Sequence, residues 1–422
     1  MSRLKLVVDD KIPFLKGVLD SHVDVIYLPG AKITAEDVKD ADAIFTRTRT
    51  KCNESLLNNS RVKLIVTATI GYDHIDTDYC DAAGIRWVNA PGCNSGSVQQ
   101  YITAAIATLV WQLNLRFSEL TRGIIGVGHV GSKVEQVASA LGMRVLLNDP
   151  PRADKEGPEA FTSLDRLLSE SDIVTIHTPL TKEAPYPTYH LASGDFFNRM
   201  KYGAAFINTS RGPVTDTQAL IHAVNDLPPY ETSPSPLFLH PPTPIMGGLD
   251  TSKADNQPAT FLCPLQMGRK LSGFILDVWE GEPHPDASLL TEAFIGTPHI
   301  AGYSSDGKAN GTAACIREFC TFFGLTTFND WRPESIPPPP MASVFSLDGT
   351  GKSPEQIIFE AVTHTYPIWK DSARLKSSPR TFEEQRGSYR TRREFKNFTV
   401  IPVNIPAGIL ATLQKIGFII TF

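Results

Sequence analysis

Gly126-Val127-Gly128-His129-Val130-Gly131 follows the apolar pair Ile124-Ile125, and Asp149 stands eighteen residues beyond Gly131. This is the layout of a dinucleotide site. A strand ends in a tight glycine turn, and a helix opens with its N-terminus aimed at a pyrophosphate. A carboxylate closing the next strand then takes the ribose hydroxyls. Glycine turns are common, so a lone G-x-G-x-x-G says little. Here the next strand, Arg144 to Leu147, and its terminal Asp149 are both present. A carboxylate at that place repels the 2′-phosphate of NADP, so the expected cofactor is NAD. Gly126, Gly128, His129, Val130, Gly131 and Asp149 are its candidate ligands.

Outward from the loop, strand-like apolar runs alternate with helical patterns. Leu4–Val8, Val25–Leu28, Ala43–Phe45, Leu64–Thr67 and Arg86–Val88 form one series. Ile124–Val127, Arg144–Leu147, Ile173–Ile176, Ala204–Ile207 and Phe274–Val278 form a second, and a helical stretch from Ser97 to Gln112 joins the two. Such alternation predicts βαβ units and parallel sheets. The expected fold is α/β, with two doubly wound parallel-sheet domains: a Rossmann-type NAD domain and a flavodoxin-like substrate domain.

Two stretches break the pattern. Residues 227–270 are rich in proline and show no sustained period, which reads as a long irregular insertion in the NAD domain. Residues 331–340 end in four prolines and read as a stiff linker. Beyond them, a helical stretch near Ile357 and strand candidates near Phe398–Val403 and Gly417–Ile420 suggest a small α+β domain, accessory or dimerising. The expected division is 1–95 with 300–330 for the substrate domain, 96–299 for the NAD domain, and 341–422 for the C-terminal domain.

Composition excludes several function classes. The 422 residues carry a net charge of −5, without the basic excess of a nucleic-acid binder. Cys52, Cys80, Cys93, Cys263, Cys315 and Cys320 are scattered with no C-x-x-C pair, so they read as reduced thiols rather than a disulfide frame or a metal site. The N-terminus meets charge too early for a signal peptide, and the apolar run Tyr101–Trp111 is too short for a bilayer. A soluble, cytoplasmic protein with no metal, nucleic-acid or membrane partner is expected.

Hydride transfer from a 2-hydroxy acid requires a base for the hydroxyl proton and a cation for the carboxylate. Arg211, in Asn208-Thr209-Ser210-Arg211-Gly212 at the end of an apolar run, offers the cation. His299, in Thr297-Pro298-His299, offers the base, and Glu282, in Trp279-Glu280-Gly281-Glu282-Pro283, offers a carboxylate to orient it. Taken singly, each is more often an ordinary surface residue. Their succession downstream of the glycine loop gives them weight. Arg47, Arg49 and Lys51 interleave with Thr46, Thr48 and Thr50, which suits a phosphorylated acid or simply a solvated edge.

The whole succession includes the glycine loop, Asp149, His177-Thr178-Pro179-Leu180, the Asn208–Gly212 turn, Asp277 through Pro283, and Thr297-Pro298-His299. It resembles the D-isomer-specific 2-hydroxyacid dehydrogenases over most of residues 1–325. The resemblance implies a catalytic trio of Arg211, Glu282 and His299, with His299 as acid/base. It implies that Thr178, Thr209, Ser210, Arg211 and Asp277 line the cofactor, Asp277 near the nicotinamide amide. Gly302 and Tyr303 would close the cofactor site, and Arg47, Thr48, Thr69 and Tyr303 would meet substrate.

Lys51–Leu56, Thr67–His74, Ala90–Asn94, Asn148–Asp154, Thr297–Tyr303 and Arg392–Phe395 are similar to one branch of that family. That branch oxidises 4-phospho-D-erythronate with NAD to 2-oxo-3-hydroxy-4-phosphobutanoate, in pyridoxal phosphate synthesis. The branch implies a phosphorylated 2-hydroxy acid as substrate and a homodimer through the C-terminal domain. Arg392 or Arg393 would then serve either as a phosphate cation toward a partner subunit or as a solvated basic face. Three alternatives stay open: a related phosphoglycerate, glycerate or lactate dehydrogenase, a non-catalytic NAD-binding corepressor, and a copy inactivated by its insertion. Gln100 stands in the linking helix where related chains carry a carboxylate.

Overall fold

The computed structural model describes residues 3–183, 185–226, 270–390 and 392–422. The expected insertion therefore lies outside the described residues, apart from Lys270. The chain divides into two compact units, residues 1–96 with 303–338, and residues 97–302 with 339–422.

In the first unit, strands β1 (Lys5–Asp9), β2 (Asp24–Leu28), β3 (Ala43–Thr46), β4 (Leu64–Thr67) and β5 (Arg86–Val88) form one sheet in the order β2-β1-β3-β4-β5. Every pair is parallel. β3 and β4 are buried along their whole length, as continuous apolar runs in a covered parallel sheet must be. One face packs Leu6, Val8, Phe45 and Val66 against Ile316 and Phe319 of the helix Ser305–Phe323. The other packs Val7, Ile44 and Ile65 against Leu56 and Cys80.

In the second unit, β6 (Thr121–Ile125), β7 (Arg144–Asn148), β8 (Ile173–Ile176), β9 (Ala204–Asn208), β10 (Leu271–Leu276) and β11 (Ile295–Gly296) run parallel in the order β11-β10-β9-β8-β6-β7. The order reverses between β6 and β8, the place where doubly wound sheets open a crevice for ligands. The glycine loop follows β6 and opens there. β6 starts earlier than the apolar run suggests, because Arg122 and Gly123 interrupt that run. Arg122 is nevertheless fully buried, and a Cβ on Gly123 would stand 2.4 Å from Leu167.

The two described ends flanking residues 227–269 meet. The Lys270 amide donates to the Asp226 carbonyl at 2.9 Å. The Lys270 side chain is buried and donates to the carbonyls of Asn198 and Met200. After an irregularity at Leu271–Gly273, β10 pairs regularly with β9 from Gly273↔Ala205 to Leu276↔Asn208. The sheet therefore closes across the junction, as expected when closure entropy grows slowly with loop length.

The C-terminal segment forms a third sheet, β12 (Val344–Asp348), β13 (Thr399–Val403) and β14 (Ile419–Ile420), also parallel. Parallel neighbours need crossovers rather than hairpins, and helices such as Pro354–Thr365 and Ala407–Ile416 supply them. Leu347, Ile357, Trp369, Leu413 and Phe418 share one apolar cluster with Tyr101, Ile106 and Val110 of the helix Ser95–Gln112. This segment thus belongs to the same compact unit as the nucleotide sheet. Among the described residues, no helix is long and apolar enough to cross a membrane.

Candidate active site

The glycine loop is shaped by the absence of side chains. Gly126 has φ 84, and a Cβ there would press on the His177 backbone at 2.9 Å. A Cβ on Gly131 would stand 2.0 Å from the Gly126 carbonyl oxygen. Gly128 differs: nothing lies within 4 Å of where its Cβ would be. It precedes the helix His129–Ala140, which has no side-chain cap. The amides of His129, Val130 and Gly131 in the first turn have no intrahelical acceptor. An open approach to uncapped amides fits a pyrophosphate. The Thr178 hydroxyl is buried without a partner, a polar atom of the kind a bound cofactor would satisfy.

Asp149 sits half-buried at the end of β7. One carboxylate oxygen accepts the Val127 amide at 2.7 Å, and the other accepts the Arg152 amide at 3.1 Å, capping the helix Pro150–Glu156. Arg152 returns to the loop, donating to the Val127 carbonyl at 2.7 Å. The carboxylate expected at the ribose thus also fixes the loop. His177 is partly buried, and its burial, aided by the nearby Arg122 charge, pushes its imidazole down to about 3. It therefore stays neutral beside Gly126.

Arg211 follows β9. Asn208, buried, builds its turn: the side-chain oxygen accepts the Ser210 amide and hydroxyl at 2.9 and 2.8 Å, and the amide group donates to the Arg211 carbonyl at 3.0 Å. Thr209 Oγ1 lies 3.5 Å from His177 Nδ1. A Cβ on Gly212 would fall 2.0 Å from the Trp279 carbonyl oxygen, so the turn bearing Arg211 presses directly on the chain leading to Glu282.

Glu282 and His299 meet as expected. Glu282 Oε2 lies 2.8 Å from His299 Nδ1, and Oε1 accepts the Trp279 amide at 2.9 Å. Burial pushes the Glu282 carboxyl up, but the bond and charge of His299, with the Trp279 amide and the Arg386 charge, hold the group below the usual carboxylate range. With Nδ1 engaged, Nε2 is the atom left for a substrate proton. The His299 backbone is left-handed, φ 56, and its amide donates to the Asp277 carbonyl at 2.8 Å. Asp277, 1 % exposed, accepts the Thr297 hydroxyl and Ile300 amide on one oxygen, both at 2.7 Å, and the Ala301 amide on the other at 2.8 Å. Both oxygens of the residue expected near the nicotinamide are thus engaged by the histidine loop.

In the first unit, Thr69 bonds the Thr67 hydroxyl at 2.8 Å and the Gly71 carbonyl at 2.9 Å, while Thr48, Arg49 and Lys51 are exposed. Arg47 is half-buried and donates to the Lys11 carbonyl at 3.1 Å. Lys308 is a cation that the sequence does not single out. Its Nζ lies 4.9 Å from the Tyr303 ring centre, and burial, with the charge of Arg47, pushes it down to about 8. Two mutually repelling cations suit an anion such as a phosphate. Arg392 corrects an expectation. It is 2 % exposed and directs its donors at acceptors within its own unit, so it is neither a solvated face nor a cation offered to a phosphate.

Residues 102–227 match the family model of the D-isomer specific 2-hydroxyacid dehydrogenase NAD binding domain. The chain is 45% identical over 403 residues to erythronate-4-phosphate dehydrogenase of Bacteroides thetaiotaomicron, covering 95% of this chain and 100% of that one. It is 35% identical over 419 residues to erythronate-4-phosphate dehydrogenase of Citrobacter koseri, covering 98% of each. Among solved structures, D-lactate dehydrogenase from Aquifex aeolicus, complexed with NAD and lactic acid, superposes with a TM-score of 0.57 at 28% identity. That match covers 76% of this chain and 96% of the other.

Proposed function

Because the chain belongs to the erythronate-4-phosphate dehydrogenases, within the D-isomer-specific 2-hydroxyacid dehydrogenases, we propose that it oxidises the 2-hydroxyl of 4-phosphoerythronate with NAD. The Glu282–His299 pair at 2.8 Å carries the chemical reading. His299 Nε2 removes the hydroxyl proton, and Glu282 holds the ring in one orientation while offsetting the charge it gains. NAD, when bound, would supply the acceptor for the hydride that leaves C2. Arg211 holds the substrate carboxylate and draws electron density from the forming carbonyl. Gly126, Gly128, His129, Val130, Gly131 and Asp149 hold the dinucleotide, with Thr178, Thr209 and Ser210 along its length. Asp277, Gly302 and Tyr303 complete the cofactor residues. Arg47, Thr48, Thr69 and Tyr303 are assigned to the substrate, and the charge of Arg47 supports a phosphorylated one.

The direct test is turnover of 4-phospho-D-erythronate with NAD, a 2-oxo acid being present as electron acceptor and product followed by mass spectrometry. 3-Phosphoglycerate, glycerate and D-lactate run in parallel. Preference for any of these three would defeat the substrate assignment, and full turnover by His299→Gln would defeat the acid–base assignment. A homodimer through the C-terminal sheet is supported by exposed Val344, Ile401, Val403 and Ile419 on that sheet. Ile401→Asp should then yield monomers by light scattering, and an unchanged mass would remove this surface from the interface.

A further inference from the structure

The loop that carries His299 is held by opposite charges on two sides, and one charge comes from far along the chain. Asp277 takes the amides of Ile300 and Ala301. The carbonyls of the same two residues accept from Arg392, Nη1 to Ile300 at 3.2 Å and Nη2 to Ala301 at 2.6 Å. The guanidinium is itself fixed. Nε donates to Gln100 Oε1 at 3.0 Å, Nη2 to the Ser97 carbonyl and hydroxyl at 3.1 and 3.2 Å, and Nη1 to the Tyr389 hydroxyl at 3.3 Å. Its Cζ lies 4.2 Å from the Tyr366 ring centre. The hydroxyls of Tyr366 and Tyr389 both donate to Asp371, at 3.0 and 2.9 Å.

We propose that Arg392 is a positioning residue for His299: with Asp277 it clamps the backbone of Ile300 and Ala301, the two residues that follow the histidine, so that the C-terminal segment aims the acid–base ring. A left-handed backbone at a side-chain-bearing residue persists only where its surroundings over-determine it. The clamp does so. Rotating any of the three peptide groups from His299 to Gly302 would leave a buried carboxylate or a buried guanidinium with empty hydrogen bonds, and both are costly. The planar fork is needed as well as the charge, because only a guanidinium reaches two carbonyls and the Gln100 oxygen at once. Gln100, a neutral residue, accepts from Arg392 and donates to Thr365 Oγ1 at 3.1 Å and the Arg393 carbonyl at 2.9 Å.

The inference rests on the acid–base reading of His299, so His299→Gln is measured beside it. Arg392→Ala in the full chain should lower kcat about 100-fold, the scale of a displaced catalytic group, with NADH affinity unchanged within about twofold. Added guanidinium should restore at least about tenfold, while Arg392→Lys should stay near the alanine value. Retention of kcat in Arg392→Ala while His299→Gln is inactive overturns the clamp alone. Loss of NADH affinity in step with kcat, with no rescue by guanidinium, also overturns it, because that pattern means general damage. If Arg392→Ala does not fold, Gln100→Leu and Tyr389→Phe each remove one support of the guanidinium. A roughly fivefold fall in kcat at constant NADH affinity then supports the proposal, and an unchanged kcat in both overturns it.

Discussion

The glycine loop and the histidine loop lie in the same unit, and they are built in opposite ways. Gly126–Gly131 is shaped by missing side chains within six residues, and one carboxylate, Asp149, closes it through the Val127 amide. Thr297–Gly302 is shaped by what surrounds it. Trp279 Nε1 donates to the Thr297 carbonyl at 3.0 Å, Tyr101 bonds the Thr297 hydroxyl at 2.7 Å, Asp277 takes two amides, and Arg392, 91 residues beyond Ala301, takes two carbonyls. A cofactor's phosphates ask only for open amides, which glycines provide by themselves. An acid–base ring must be aimed, and aiming a left-handed histidine takes fixed charges from several elements.

The hardest blow to this contrast is Asp277→Asn. Burial pushes the Asp277 carboxyl up, with the charge of His299, the Thr297 hydroxyl and the Ala301 and Ile300 amides opposing the rise. Asparagine removes the charge and turns one acceptor into a donor facing an amide. Three charge-assisted hydrogen bonds are weakened and one loop amide is buried against a donor, together a defect worth roughly 3 kcal/mol. The urea midpoint should fall accordingly, and kcat should fall with it. A residue that served only a nicotinamide amide would leave the midpoint of the apo protein near the wild-type value, and that result would end the case for a charged clamp.

The same contrast explains what could be read from the chain. Leu64–Thr67, Arg86–Val88 and Ile173–Ile176 emerge with their observed limits as short runs rich in apolar and β-branched residues. β11 is two residues long and leaves no pattern, and β12 begins soon after the prolines, where a linker is the natural reading. Within the site, the glycine spacing and the Glu282–His299 motifs are legible because each is contiguous. The roles of Asn208 and Lys308 are not, since a strand-terminal Asn and a helical Lys are common. Arg392 stands out in the sequence only by resemblance. Apart from Tyr366 and Tyr389, its partners lie 91 to 295 residues away, and no local pattern records them.

A smaller effect separates two glycines of the same loop. Gly131→Ala forces a Cβ against the Gly126 carbonyl oxygen, 2.0 Å away, so backbone must move. Overpacking of this kind costs about 1–3 kcal/mol. It should lower the melting temperature and NADH affinity together. Gly128→Ala meets nothing within 4 Å and should leave melting unchanged. Any loss of NADH affinity in that variant comes from the ligand's side alone. Equal melting losses in the two variants would mean that the loop is not shaped sterically as described.

The smallest effect asks how local the glycine loop is. Gly126 packs on the His177 backbone, and the His177 amide donates to the Ile125 carbonyl at 2.8 Å, so this neighbour just after β8 must stay in place. Its imidazole is held down to about 3 by burial and by Arg122, whereas an unfolded histidine titrates near 6.5. Between those values the unfolded chain binds a proton that the folded chain refuses, so stability falls as pH drops through that window. From pH 7 to pH 6 the single group accounts for about 0.7 kcal/mol. His177→Gln removes it, and the variant's urea midpoint should change less between pH 7 and pH 6 than that of the wild type. Identical shifts in the two proteins would show that His177 is protonated as readily folded as unfolded. The wall behind Gly126 would then be open to water, and the loop would depend on less of its surroundings than the packing indicates.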